Sequence, residues 1–148
     1  EIFSISYRPE GVKNVLHADI KGYCDLHKIK CLTLSKGMKD SELLNRVKDL
    51  EPDIFIVAGW YHMIPSSWMK VAPAFGLHAS LLPDYSGGAP LVWAIINGEK
   101  KTGITLFQMT KGVDNGPVIG QLATKISTED TIATLYERID ALGLELLV

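Results

Sequence analysis

The sequence has few cysteines, no long apolar runs and little net charge. Its 148 residues include only two cysteines, Cys24 and Cys31, which are too few for a disulfide scaffold and lack zinc-ligand spacing. Apolar stretches such as 54–61 fall short of the roughly 20 residues that cross a bilayer. The formal net charge is −2 and the basic residues are scattered, which argues against a nucleic-acid partner. These shortages predict a cytoplasmic protein with reduced thiols, no membrane contact and no metal.

Two groups of catalytic motif are also missing. The pair Gly87-Gly88 fits neither of the glycine-rich templates that cradle phosphates after a strand. No Gly-x-Ser-x-Gly elbow occurs, and Ser80 shows no sign of activation as a nucleophile. Nucleotide hydrolysis and serine hydrolysis are therefore poor interpretations of this chain.

The order of apolar segments indicates an α/β fold. Strand-length apolar runs alternate with segments of helical period, a pattern typical of βαβ units. The pattern predicts strands over 2–7, 31–34, 53–58, 74–78, 103–110 and 116–125, and helices over 12–27, 40–50, 65–71, 89–97 and 128–147. The expected fold is Rossmann-like: a mostly parallel sheet, helices on both faces, and an antiparallel hairpin near the C-terminal half. We expect one domain over residues 1–148, truncated at both ends because the chain opens inside a strand and closes inside a helix.

The last predicted helix has a clear apolar face and a candidate cap. Ile132, Leu135, Ile139 and Leu142 recur at three- and four-residue spacing. The side chains of residues 127 and 128, Ser and Thr, are placed to cap its start.

Polar residues follow two neighbouring predicted strands, where ligands bind in open α/β sheets. His78 ends one of these strands, and the loop 111–116, which contains Asp114, could fold over the same edge. Taken alone, His78 also suits a buried histidine with a satisfied hydrogen bond. Asp114 alone suits a turn, since Asp-Asn-Gly is a common turn sequence.

Four segments together resemble the formyltransferase family. They are His78-Ala79-Ser80-Leu81-Leu82-Pro83, then 85–90 with Trp93, then Asn97-Gly98 with 102–105, and finally 112–117, Gly-Val-Asp-Asn-Gly-Pro. The motifs occur in the family's order between about 55 and 121. The resemblance implies formyl transfer from 10-formyltetrahydrofolate, as cosubstrate, to a primary amine.

The resemblance also assigns roles to residues. It implies that His78 and Asp114 are catalytic and that position 76 belongs to the catalytic group. The implied folate-binding residues are Trp60, Tyr61, His62, Met63, Ile64, Lys111, Gly112 and Val113, with backbone hydrogen bonds to the pterin. The implied substrate contacts are Ser80, Gly87 and Gly88.

One position departs from the family pattern. The family usually has Asn two residues before the histidine, and this chain has Gly76 there; Ala79 and Ser86 stand where Pro and Arg are common. A tetrahedral intermediate then lacks one oxyanion donor, a loss that typically costs about 3–4 kcal/mol. A water admitted beside Gly76 could replace that donor, or the side chain of His62 or a backbone N–H could do so. The third possibility is that the enzyme is slow or inactive. Our hypothesis is that His78 stabilises the oxyanion while Asp114 assists it and relays the amine proton.

The acceptor is left open by the sequence. Scattered charge favours a small or sugar-nucleotide amine, whereas methionyl-tRNA would require both a basic surface facing the tRNA and a further C-terminal domain. A folate- or nucleotide-binding module without catalysis is the alternative of a different class, and hydrolysis of the formyl group is a third possibility. A homodimer is compatible with everything in the sequence.

Overall fold

The computed structural model describes residues 2–6, 19–34, 37–60 and 62–148. The chain divides into two compact units, Glu1–Glu51 and Pro52–Val148. No helix in the described ranges is long and apolar enough to span a membrane.

Among its described residues, the first unit contains a two-stranded parallel sheet, two α-helices and a short 3-10 helix, Gly37–Lys39. Strands β1 (Phe3–Ser6) and β2 (Lys30–Thr33) pair in parallel, and helices α1 (Ile20–Leu26) and α2 (Ser41–Lys48) are each capped by an aspartate. Asp40, for example, accepts the backbone N–H of Leu43 at 3.1 Å, which satisfies one of the open donors at the start of α2. Residues 12–18 of the predicted first helix, and residue 7 of the predicted first strand, lie outside the described residues.

The second unit is built on a four-stranded mixed sheet. Its elements are β3 (Phe55–Ala58), α3 (Ser66–Met69), β4 (Ala74–His78), α4 (Pro90–Ile96), β5 (Lys101–Gln108), β6 (Val118–Lys125) and α5 (Ile132–Leu146). The strand order is β3-β4-β5-β6; β3 and β4 are parallel, and β5 and β6 form the predicted antiparallel hairpin. The α/β fold class is therefore confirmed.

The orientation of β5 is a feature that the element pattern did not predict. β4 and β5 pair antiparallel, with His78 opposite Thr105. The hydroxyl of Thr105 donates to the Ser80 carbonyl at 2.6 Å and accepts the Leu82 N–H at 3.1 Å. Because these bonds hold the loop after β4 at the edge where β4 ends, the chain enters β5 from that same edge.

The core of the second unit lies between the sheet and its last helix. Leu91, Ile104, Leu135 and Ile139 are buried together, each at most 5% exposed. On the other face, Trp68 of α3 packs against Phe55 with ring centroids 6.3 Å apart. Since Phe55 and Ile104 point to opposite faces by strand alternation and register, helices cover both faces, as predicted.

The predicted cap of the last helix was wrong. Thr131 caps α5 and forms a reciprocal capping box with Thr134. The Ser127 N–H donates to Asp130 at 2.8 Å, so the residues after β6 form a turn that delays the helix. Asp130 also pairs with Arg138, and this hydrogen bond, followed by those from Ser127 and Thr134, holds the pKa of Asp130 far below its usual range.

Candidate active site

The loop that carries Asp114 folds back across the sheet to reach His78. Gln108, the last residue of β5, pairs with Phe75, three residues before His78 on β4. Three strand residues correspond to about 10 Å. The loop after β5 therefore begins near the start of β4 and runs back about 10 Å to the end of β4, where His78 lies. It covers the sheet as a wall and is more than a simple hairpin turn.

His78 and Asp114 meet at the edge where β4 ends. The Nδ1 atom of His78 lies 3.4 Å from Oδ2 of Asp114, and the two side chains are only 11% and 19% exposed. The same Oδ2 accepts the backbone N–H of Gly87 at 2.9 Å. One carboxylate oxygen thus joins the loop after β4, the loop after β5 and the imidazole.

A backbone carbonyl determines which nitrogen of His78 carries a proton. The Nε2 atom lies 2.8 Å from the carbonyl oxygen of Tyr85, which can only accept a hydrogen bond. Nε2 is therefore the donor, and Nδ1 faces the carboxylate. The pair is arranged to hold an additional proton between Nδ1 and Asp114, as a general acid or proton relay requires.

Backbone strain is concentrated around this pair. Tyr85, Ala89 and Asp114 adopt positive φ angles of 56°, 53° and 46°. Non-glycine residues adopt this region at a cost of order 1–3 kcal/mol and do so mostly where the surroundings enforce it. Asp tolerates the conformation better than most residues, which suits Asp114 to this loop.

A cavity of about 790 Å³ adjoins the pair. This volume lies within the usual range of small-molecule sites. The sequence-predicted residues that line it are Gly76, His78, Asp114, Trp60, His62, Met63, Ile64, Gly112, Val113, Gly87 and Gly88. Tyr61 lies outside the described residues. Within the described ranges, no group of three His, Cys, Asp or Glu side chains is placed to hold a metal ion.

Comparison with known proteins gives the same class as the site. The pattern of the family described as "Formyl transferase" matches residues 3–148. The chain belongs to the formyl transferase family. The resemblance found in the sequence is therefore confirmed at the level of the family.

Relatives within the formyl transferase family carry two different names. Methionyl-tRNA formyltransferases of Staphylococcus epidermidis and Enterococcus faecalis are 40% and 38% identical; the alignments cover 95% of this chain and 46% of each relative. The chain thus spans about half the length of these relatives. Among solved structures, the phosphoribosylglycinamide formyltransferase of Bacillus halodurans is similar with a TM-score of 0.81 and 27% identity, over 95% of this chain and 74% of that one.

The surroundings of Gly76 leave no room for a side chain as the structure stands. A Cβ atom built on Gly76 would lie 2.7 Å from Cε1 and 2.9 Å from Cζ of Phe107, far inside contact distance. The ring of Phe107, which is 3% exposed, therefore occupies the space where a side chain at position 76 would begin. No side-chain atom fits at that point unless the ring shifts.

Two predicted site residues of the formyl transferase motif lie elsewhere. Ser80 is 1% exposed, and its hydroxyl donates to the Asp84 carbonyl at 2.7 Å. Lys111 is exposed, and neither residue lines the cavity. The serine holds the loop after β4 in shape, and this arrangement gives no support to a substrate contact for its side chain. The folate-binding role expected of Lys111 through its backbone stays a prediction.

The structure adds residues that sequence reasoning missed. Phe107 and Met109 line the cavity from the same face of the sheet as Gly76. Strand alternation counted from Gly76 would have indicated Phe107, had the β4–β5 register been known. Tyr85 acts through its carbonyl, and a main-chain group leaves no signal in a sequence.

Proposed function

We propose that this chain contains the site at which a formyl group passes from 10-formyltetrahydrofolate to a primary amine. The observation that carries the proposal is the His78–Asp114 pair, 3.4 Å apart beside a cavity of about 790 Å³. Family membership supports the reaction class, and the little-exposed pair supplies the groups that the reaction needs. Because the chain spans about half the length of its relatives, the activity of the whole protein is also part of this proposal.

In this proposal the two side chains divide the proton chemistry. Attack by an amine on a formyl carbon places negative charge on the formyl oxygen and leaves a proton on the nitrogen. His78, with both ring nitrogens protonated, would place a positive charge beside that oxygen. Asp114 holds the Nδ1 proton and accepts or relays the proton that the amine loses. As the intermediate collapses, the bond between the formyl carbon and the folate nitrogen breaks, and that nitrogen takes up a proton as tetrahydrofolate leaves.

Exposed apolar side chains beside the cavity support a binding site for the folate donor. Met63 and Val113, on two different loops, expose 61% and 53% of their surface. Large apolar side chains exposed beside a cavity are typical of ligand-binding surfaces. Bound there, 10-formyltetrahydrofolate would supply the formyl carbon, and the backbone groups of 60–64 and 110–116 would hold its pterin, as the family resemblance implies.

For the acceptor, we propose methionyl-tRNA as the first candidate. The support is the similarity to proteins named methionyl-tRNA formyltransferase, at 36–40% identity. The expectation of a small or sugar-nucleotide amine rested on the scattered basic residues of this chain. The chain spans about half the length of those relatives, so the charges of the other half do not enter that argument. A small amine is kept as the second candidate because 27% identity links the chain to a phosphoribosylglycinamide formyltransferase.

The test is a turnover assay on the full-length protein. Tetrahydrofolate release from 10-formyltetrahydrofolate is followed with methionyl-tRNA, phosphoribosylglycinamide or an amino-sugar nucleotide, and without any amine. We expect amine-dependent release that falls by 10²–10⁴ in His78→Ala, the usual contribution of a general acid or base. His27→Ala, at an exposed histidine after α1, is the matched control and is expected to have no effect.

Each other outcome has a distinct meaning. Folate binding without release on any amine would favour a binding module. Release that does not depend on an amine would indicate formyl hydrolysis. The acceptor with the highest kcat/KM identifies the substrate class.

A further inference from the structure

The Tyr85 side chain, in the loop before α4, forms hydrogen bonds with residues that follow α4. Its hydroxyl donates to Oε1 of Glu99 at 2.7 Å and accepts from Nδ2 of Asn97 at 3.1 Å. Asn97 is the residue that ends α4, and Glu99 lies in the turn before β5. The phenol therefore bridges the loop after β4 to the start of β5, across 14 residues of chain.

The tie keeps the phenol a donor. The bond from Asn97 lowers the pKa of Tyr85, but the bond to Glu99, desolvation and the charge of that carboxylate outweigh it, so the pKa of Tyr85 lies above its ordinary value. A protonated phenol can donate to Glu99 and accept from Asn97 at the same time. Both bonds are therefore made in one protonation state across the physiological pH range.

The backbone of Tyr85 is strained. Its φ of 56° is a left-handed conformation that is unfavourable for a non-glycine residue. In this conformation its carbonyl oxygen lies 2.8 Å from Nε2 of His78. If the residue relaxed to a negative φ, the carbonyl would turn and the ring nitrogen would lose its acceptor.

We propose that Tyr85, held by Asn97 and Glu99, is a positioning residue that fixes the tautomer and orientation of His78. The proposal rests on the function proposed above, in which the Nδ1 proton of His78 is used. Tyr85 itself touches no reacting atom; its carbonyl keeps the proton on Nε2 and so directs Nδ1 at Asp114. Tyr85 thus connects the hydrogen bonds of its hydroxyl, to Asn97 and Glu99, with the hydrogen bond of its carbonyl to the imidazole of His78.

The first test reads the imidazole directly, without substrate. In the full-length protein, ¹⁵N NMR of labelled histidine is expected to show the neutral His78 ring protonated mainly at Nε2. Tyr85→Phe removes only the hydroxyl, and Glu99→Ala removes its acceptor; each is expected to shift the ring towards a mixture of tautomers. Glu99→Gln keeps an acceptor oxygen and should leave the wild-type spectrum nearly unchanged.

The second test uses rates. Tyr85→Phe and Glu99→Ala are each expected to lower kcat about tenfold, as loss of a hydrogen bond to a charged group does, with little change in KM for the folate. The double variant should be no slower than either single variant, because both break one connection. Tyr23→Phe, at an exposed tyrosine of α1, is the matched control.

The outcomes separate this proposal from the proposed function. Unchanged His78 nitrogen shifts in both Tyr85→Phe and Glu99→Ala would overturn the positioning role. Fully additive losses of kcat would overturn the shared connection. If the wild-type protein transferred no formyl group, the proposed function would fail while the NMR result would still decide what Tyr85 does to the ring.

Discussion

Substitution of Gly76 by alanine tests whether Phe107 occupies the place of the absent side chain. The new Cβ would lie 2.7 Å from the Phe107 ring, so the ring or the strand must shift. The ring is 3% exposed and packed, and relieving an overpacked site of this kind typically costs 1–3 kcal/mol. We expect Gly76→Ala to lower the free energy of unfolding by about 2 kcal/mol, a value from the middle of that range.

The cavity gives this substitution a second effect. Phe107 lines the cavity, and the open side available to a displaced ring is the cavity itself. Gly76→Ala should therefore also weaken folate binding. Urea unfolding and a fluorescence titration with a folate analogue measure the two effects on the same protein.

The matched control for this experiment is Gly88→Ala. Gly88 also lines the cavity, but a Cβ there meets no heavy atom within 4 Å. A shorter side chain at position 107 should relieve the clash, so Phe107→Leu with Gly76→Ala should lose less stability than the sum of the two single changes, by about 0.5–3 kcal/mol. Equal stability of Gly76→Ala, Gly88→Ala and the wild type would refute the reasoning.

Three further predictions concern the loop after β5, the catalytic pair and the last helix. Gly116→Ala should destabilise the protein more than Gly76→Ala, as urea unfolding would show, because its Cβ would lie 1.7 Å from the main-chain oxygen of Gln108, and no side-chain rotation can relieve that contact. Asp114→Asn should keep the melting temperature within a few degrees, since Asn also tolerates a positive φ and can accept the Gly87 N–H, yet lower kcat by about 10²–10⁴; an equal loss of folding and activity would contradict a catalytic role. Arg138→Gln should lower the melting temperature at neutral pH, and the difference should shrink as pH falls below roughly 3.9, because the lowered pKa of Asp130 stabilises the fold only while its carboxylate is charged; a difference independent of pH would contradict this.

The sequence predicted most of the fold because apolar periodicity records which face of each element is buried. β4 was located to the residue, and the β5–β6 hairpin was recognised from its turn residues. The start of the last helix was placed too early because Ser127 and Thr128 are good capping residues in isolation. A tertiary contact decided otherwise: Asp130, held by Arg138, organises the turn before the helix.

The direction of β5 could not be read from local pattern. A short helix between two strands suits either a crossover or a return to the same edge. The choice is made by Thr105, whose hydroxyl joins the Ser80 carbonyl to the Leu82 N–H, and by Gln121, which donates to the Leu82 carbonyl at 2.8 Å. These partners are 23 to 39 residues apart in the chain, so no short window of sequence contains the interaction.

Some residues of the site could be predicted from the sequence, and the roles of others could not. His78 and Asp114 were singled out by motif resemblance, whereas their residue types alone suited a buried histidine and a turn. Ser80 belongs to the same motif, yet its side chain points into the loop that the motif builds. A motif therefore indicates which residues belong to one structural unit. The three-dimensional structure is needed to distinguish the residues that line the cavity from those that hold its loops in shape.

The proton arrangement of the site depends on a group that cannot titrate. A neutral imidazole beside a carboxylate would ordinarily place its proton on the facing nitrogen, which here is Nδ1. The Tyr85 carbonyl competes for that proton at 2.8 Å from Nε2, and both acceptors are satisfied together only when the ring carries two protons. The left-handed backbone of Tyr85 and of Asp114 maintains this competition, because each positive φ directs an oxygen at a different nitrogen of one ring. The two loops thus keep one acceptor beside each ring nitrogen, so that a proton gained by the ring during the reaction would be bound beside the cavity, where a developing oxyanion would need its charge.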